Sequence, residues 1–177
     1  LNAYDKPDSF DYNLVVIGGG SAGLVSSYIA AAVKAKVLLI EKEKMGGDCL
    51  NTGCVPSKSL IKSTRFLAEL TRSERYGIKQ ASAQFDFAEI MERVSVVIKQ
   101  IEPHDSIERY TELGVECMTG KAQVLSPWKV RVGDKTVTAQ NIIIASGAKP
   151  RVPAIEGLES VTFYTSDTIW SLRELPK

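Results

Sequence analysis

The sequence predicts an α/β fold with a parallel sheet, long helices and an antiparallel β-meander insertion. Three observations carry this. A short apolar run at 12–17 passes through a glycine-rich turn into an alanine-rich stretch and then a second apolar run. Two longer stretches, 49–70 and 85–101, read as helices. Four short β segments follow, and the apolar run 141–145 returns the chain to the sheet.

Composition bounds the function. A length of 177 residues suits one well-buried domain and is short for two. With 44% hydrophobic and 24% charged residues, the chain has an ordinary globular composition. A net charge of +1 gives no electrostatic case for nucleic acid or an anionic membrane. No apolar run approaches the ~18 residues that span a bilayer. Residues 1–11 are polar and acidic and lack a signal-peptide core. The first residue is Leu1 rather than Met, so the expectation is a piece of a longer polypeptide. Three cysteines, an odd number, fit a reducing compartment, and the reading is cytoplasmic.

Taken in order, Tyr12-Asn-Leu-Val-Val-Ile17 is short, apolar and rich in β-branched residues, as a buried parallel strand requires. Gly18-Gly19-Gly20-Ser21-Ala22-Gly23 follows at once, then a helix over Leu24–Lys34 and a strand over Lys36–Ile40 ending at Glu41. This is a βαβ unit of about thirty residues, with Gly18-x-Gly20-x-x-Gly23 at its first turn. Gly18 permits the tight turn, Gly20 lets a pyrophosphate approach the backbone, and Gly23 lets helix and strand pack closely. Glu41 lies 21 residues beyond Gly20, where a carboxylate bonds ribose hydroxyls and repels a 2′-phosphate. A lone glycine fingerprint is weak. With its strand, helix and acid in place it predicts Rossmann-like dinucleotide binding.

Cys49 to Leu70 reads as one long helix, with Pro56 near its first turn, where proline is tolerated. Residues 72–83 form a polar connection. From Phe85, apolar Phe87, Ile90, Met91, Val94, Val97, Ile98 and Ile101 recur at helical spacing and form a core-facing stripe. Pro103 kinks or ends this helix, and a further turn or two runs to Leu113 before Gly114. His104 reads as exposed or locally bonded. Val115–Met118, Lys121–Leu125, Lys129–Val132 and Thr136–Thr138 read as an antiparallel meander, with Cys117 a buried structural thiol. Asn141–Ala145 is again a buried strand, closed by Ser146-Gly147. The tail from Pro150 reads as an extended excursion ending in a short helix, Ser166–Leu172.

Two cysteines stand five positions apart in Gly46-Gly47-Asp48-Cys49-Leu50-Asn51-Thr52-Gly53-Cys54-Val55-Pro56-Ser57-Lys58. On an ideal helix such residues are ~8–9 Å apart, whereas a disulfide tolerates at most ~7 Å. A bridge therefore needs a distorted first turn, which Asn51-Thr52-Gly53 permits. A bond in such a turn reduces more easily than a structural staple. Bland readings remain open: small buried hydrophobes, a static disulfide, or half of a metal site. For the last the partners are poor, since the only histidine, His104, lies fifty residues beyond Cys54 and Cys117 is isolated. No metal ligands are assigned.

With fingerprint and cysteine pair together, the chain resembles the N-terminal FAD domain of class I pyridine nucleotide–disulfide oxidoreductases. The family includes dihydrolipoamide dehydrogenase, glutathione reductase and mercuric reductase. The resemblance covers essentially the whole chain, and Gly-Gly-x-Cys-x4-Cys-Val-Pro-Ser-Lys is its specific string. Asn141-Ile-Ile-Ile-Ala-Ser-Gly147 resembles the second FAD motif, with Ser146 in place of the usual threonine. Asp48 replaces a common threonine before the first cysteine. The resemblance implies that Cys54 faces the flavin and holds the charge-transfer thiolate. It makes Cys49 the interchange thiol and sets Lys58 near the flavin ring; the bland alternative for Lys58 is a solvated helix lysine. It implies that Gly18, Gly20, Ser21, Ala22, Gly23, Glu41 and Lys42 hold the adenosine diphosphate half of FAD. Gly47, Asp48, Ala122, Ala145, Ser146 and Gly147 pass close to the cofactor.

In such enzymes electrons run from NAD(P)H to FAD, to the Cys49–Cys54 disulfide and on to a small-molecule disulfide or metal ion. The family resemblance also implies that the NAD(P)H fingerprint and the interface domain of a homodimer lie outside these residues, so the piece alone is expected to be inactive. Gly46-Gly47-Asp48-Cys49 and Pro103–Tyr110 look most like the mercuric reductase-like branch. A second function class is a non-catalytic FAD-binding redox sensor. A plain NAD-dependent dehydrogenase would have no use for the cysteine pair.

Overall fold

A computed structural model of the protein describes residues 4–176. The chain divides into two compact units, one drawn from 1–49 and 102–148 and the other from 50–101 and 149–177. No helix among the described residues is long and apolar enough to cross a membrane.

The first unit is a six-stranded sheet in the order β3-β2-β1-β6-β5-β4. Its strands are β1 (Tyr12–Ile17), β2 (Val37–Glu41), β3 (Val115–Thr119), β4 (Ala122–Ser126), β5 (Lys129–Val132) and β6 (Lys135–Ile144). Strands β3, β2, β1 and β6 run parallel, with Leu14 opposite Val37 and Asn141, and Val37 opposite Val115. Strands β4, β5 and β6 pair antiparallel. Side chains alternate across the sheet, so Val15, Leu38 and Ile40 join one cluster with Val130, Val137 and Ala139. Val16, Val37 and Leu39 join another, with Leu24 and Ala31 of helix α1 (Ser21–Ala32) and Tyr110 of helix α5 (Ile107–Glu112). Both faces of β1 and β2 are thus buried, which is why these strands read as continuous apolar runs. Each such side chain contributes about 1.5–3 kcal/mol of burial. Helix α1 presents Gly23, Leu24, Ser27 and Ala31 inward. The Ser27 hydroxyl is fully buried without a hydrogen-bond partner among the described residues.

The boundary between the units runs through α2 (Gly47–Asn51), so the second unit opens on its last residues. Helices α3 (Cys54–Leu70) and α4 (Phe87–Ile101) form the body of this unit and pack against one another. Met91 and Val94, from the predicted stripe, are buried to 1% exposure.

The structure corrects four expectations. The predicted helix Cys49–Leu70 is broken into α2 and α3 at Thr52-Gly53. Gly53 leaves the helical region at φ −119 and ψ −103, and the Thr52 carbonyl turns aside to accept the Trp170 indole N–H at 2.8 Å. Val115–Thr119 is a parallel edge strand beside β2, not the first strand of a meander. Thr136–Thr138 and Asn141–Ala145 are one strand, Lys135–Ile144, whose first half pairs with β5 and whose second half pairs with β1. The expected tail helix shrinks to a 3-10 turn, Ile169–Ser171. Pro103 does end α4, within a 3-10 turn over Glu102–Asp105 that contains the exposed His104.

Candidate functional site

The site in the first unit is built by missing side chains. Gly18, at φ +111, lies so close to β6 that a Cβ there would strike the Ala145 carbonyl. A Cβ on Gly23 would strike the carbonyl of Gly18, so the first turn of α1 sits directly on the end of β1. Gly20 is the N-cap of α1 and supplies no side-chain cap, and the first turn contains no acid. Its amides are thus left for an external acceptor. Gly47, at φ +54, is the first residue of α2 and follows the loop after β2. A Cβ on it would lie 2.6 Å from Gly20 Cα, and Gly46 N–H donates to the Gly19 carbonyl at 2.8 Å. Two glycine loops therefore lie backbone to backbone over the N-terminus of α1.

Glu41 closes this cradle. Its Oε2 accepts the Gly19 amide at 2.6 Å and its Oε1 accepts the Glu43 amide at 2.8 Å, which holds the carboxylate at the C-terminal end of β2. Lys42 is exposed and pairs with Glu43 at 3.2 Å. Ser21 and Ala22 are exposed on the first turn of α1, and Asp48 is exposed on the first turn of α2. Ala145, half-buried, donates its amide to the Ile17 carbonyl at 2.8 Å; Ser146 and Gly147 follow it, exposed, with Gly147 at φ +66. Ala122 opens β4, half-buried, and its neighbours Lys121 and Gln123 line a cleft with Arg131. Uncapped helix amides, backbone without Cβ atoms and a fixed carboxylate one loop away together fit the pyrophosphate and ribose of a dinucleotide.

Of the cysteine pair, Cys49 is half-buried on α2 and Cys54 is exposed at the first position of α3. Pro56, the third residue of α3, is buried, and its missing N–H costs nothing in a first turn. Lys58 is exposed one turn beyond Cys54. Cys54 and Lys58 line a groove between α3 and α4 with Lys62 and Arg93. Arg93 Nη1 donates to the Ser59 carbonyl at 3.0 Å and to the Ser59 hydroxyl at 2.8 Å.

Two residues of this region were not singled out by the sequence. Arg93 interrupts no apolar pattern and adds none, so its tie to α3 left no periodic signal. Trp170 bonds a carbonyl 118 residues away and left no signal either. Cys117 lies apart on β3, half-buried, its Sγ 3.9 Å from the Val115 carbonyl, and burial pushes its thiol pKa up.

Residues 12–177 match the family model described as pyridine nucleotide-disulphide oxidoreductase. The chain is 29% identical over 176 residues to mercuric reductase of Staphylococcus aureus, covering 99% of this chain and 32% of that protein. It is 36% identical over 151 residues to dihydrolipoyl dehydrogenase of Mycoplasma genitalium, covering 84% and 33%. Among solved structures, the HOCl-induced flavoprotein disulfide reductase RclA from Escherichia coli superposes with a TM-score of 0.75 at 26% identity, covering 93% of this chain and 35% of that one. The chain thus spans about a third of the length of the curated relatives it matches.

Proposed function

The chain belongs to the pyridine nucleotide-disulphide oxidoreductase family, whose members use FAD with NAD(P)H as electron donor, and on that premise we propose that it is the FAD-holding, cysteine-bearing part of a disulfide reductase. The observation that carries this is the coexistence of a glycine cradle fit for a dinucleotide with a cysteine pair at a helix break. Gly18, Gly20, Gly23 and Gly47 would admit the pyrophosphate, the α1 amides would bond it, and Glu41 would hold the ribose. When bound, FAD supplies a two-electron carrier between NAD(P)H and the cysteines. Cys49 is the interchange thiol: as thiolate it attacks one sulfur of a substrate disulfide and releases the other half as a thiol. Cys54 then closes the Cys49–Cys54 disulfide, displacing the bound half as a second thiol. Lys58 places a positive charge one turn from Cys54.

Substrates are a small-molecule disulfide or a metal ion in this reading, and the mercuric reductase-like branch is supported by 29% identity over nearly the whole chain. The enzyme acts as a homodimer in a reducing, cytoplasmic setting. The test is a pair of substitutions, Cys49→Ser and Cys54→Ser, in the whole enzyme, read by turnover and by the visible spectrum on stoichiometric reduction. Each should abolish disulfide reduction. Cys54→Ser should also remove any long-wavelength thiolate–flavin band, whereas Cys49→Ser should retain it. Unchanged turnover in either variant sinks the reading in favour of a redox-sensor module.

A further inference from the structure

We propose that Trp170 is a positioning residue for the cysteine pair: its indole N–H holds open the helix break between Cys49 and Cys54 and so sets how readily their disulfide closes. This rests on the reading of Cys49 and Cys54 as the reducing pair.

In a continuous helix each carbonyl accepts the amide of the residue one turn further on, which for Thr52 is residue 56. That residue is Pro56, which has no N–H. The sequence of α3 therefore orphans the Thr52 carbonyl, whereas the Gly53 carbonyl beside it accepts the Ser57 amide at 3.1 Å and begins regular bonding. Thr52 is half-buried, and its carbonyl takes a donor from outside the helix, the Trp170 indole at 2.8 Å. Trp170 is itself held. It sits in the 3-10 turn Ile169–Ser171, where the Ile169 amide donates to the Thr165 carbonyl at 3.0 Å. The Thr168 hydroxyl accepts the Thr165 amide at 3.0 Å, and the Arg173 guanidinium donates to the Trp170 carbonyl at 3.1 Å. The break is thus secured from a segment 118 residues away, in place of the donor that Pro56 lacks. Cysteines five positions apart stand too far apart to bridge on a continuous helix, so closure needs the break. A formed disulfide keeps the break by its own covalent constraint. The dithiol has no such constraint and relies on the Trp170 bond to stay in the bridging shape. Losing that bond loosens the dithiol more than the disulfide, lowers the effective concentration of one thiol at the other and disfavours closure.

The test is made on the whole holoenzyme carrying Trp170→Phe, which keeps an aromatic ring and loses the N–H. The enzyme is equilibrated with reduced and oxidised dithiothreitol and quenched in acid, and the free thiols of Cys49 and Cys54 are alkylated and counted by peptide mass spectrometry. In this equilibrium the two thiols give up two electrons and two protons to oxidised dithiothreitol as their S–S bond forms. The closure constant should fall about fivefold, which raises the potential of this two-electron couple by about 20 mV. Trp128→Phe, in the turn between β4 and β5, should leave the constant unmoved. Phenylalanine preserves most of the packing of the indole, so a constant within about twofold of the wild type in Trp170→Phe overturns the proposal. Pro56→Ala approaches the same carbonyl from the other side, because it gives the helix its own donor for Thr52. With Trp170 in place it should also lower the closure constant, and a constant that stays or rises overturns the proposal even where Trp170→Phe fails to fold. The reductase reading fails separately: it falls if no Cys49–Cys54 disulfide forms at any ratio of the buffer, whereas a disulfide that forms with an unmoved constant sinks only the role of Trp170.

Discussion

The two units make their sites by opposite means. In the first, backbone meets backbone because side chains are absent: Gly18 against Ala145, Gly23 against Gly18, and Gly47 against Gly20. In the second, a groove is defined by side chains that are present and long: Lys58, Lys62 and Arg93. A cradle of glycines tolerates almost no substitution and carries its own signature in sequence. A groove of long cations tolerates exchange at each position and is recognised only once two helices have been laid side by side.

Substitution at Gly23 should break the first unit hardest. Gly23→Ala drives a Cβ into the Gly18 carbonyl, and chemical denaturation should show a loss of about 4 kcal/mol. Gly114→Ala sharpens the contrast: the backbone is left-handed at φ +88 but the space is open, so the loss should be about 1 kcal/mol. Equal losses would mean that conformation, not contact, makes the cradle. The second unit answers to volume instead. Met91→Ala empties a site at 1% exposure and should cost about 3 kcal/mol in the same measurement. Ser27→Ala should move the other way, gaining about 1 kcal/mol, because it removes a buried hydroxyl without a partner.

The smallest effect is at high pH. Burial, and then the hydrogen bond donated to Glu116, push the Tyr12 pKa up to about 12. A pKa raised in the fold stabilises fully below the unfolded value near 10 and loses that contribution as pH climbs toward about 12. Tyr12→Phe should therefore flatten the stability loss across that window and delete the highest-pH tyrosinate step in an absorbance titration.

Most of the first unit was legible because its signals are local. The run Tyr12–Ile17, the fingerprint and Glu41 fix strand, turn, helix and strand within thirty residues. What was not legible depended on partners distant in sequence. Four residues around Cys117 make a strand in either direction, and only pairing with Leu39 makes β3 parallel. Gly133-Asp134 marks a hairpin, yet nothing in Ala139-Gln140 announces that β6 continues through them to a second neighbour. The break at Gly53 was foreseen as a distortion, while its extent was set by Trp170 from the tail. The cradle residues were found by spacing; the groove was missed because Lys62 and Arg93 belong to no motif.

Strand β6 also sets a schedule. Its N-terminal half closes on β5 through a two-residue turn, a local event available as soon as that hairpin exists. Its C-terminal half must find β1, with Leu14 opposite Asn141 and Tyr12 opposite Ala139, and Asp11 takes the Thr138 amide at 2.8 Å. These partners are 127 residues apart. On a ribosome working at roughly 10 residues per second, β1 waits more than ten seconds for its second neighbour to be synthesised. Throughout that wait one edge of the β1–β2 ladder stays unpaired, so the chain's most exposed moment precedes its release rather than following it.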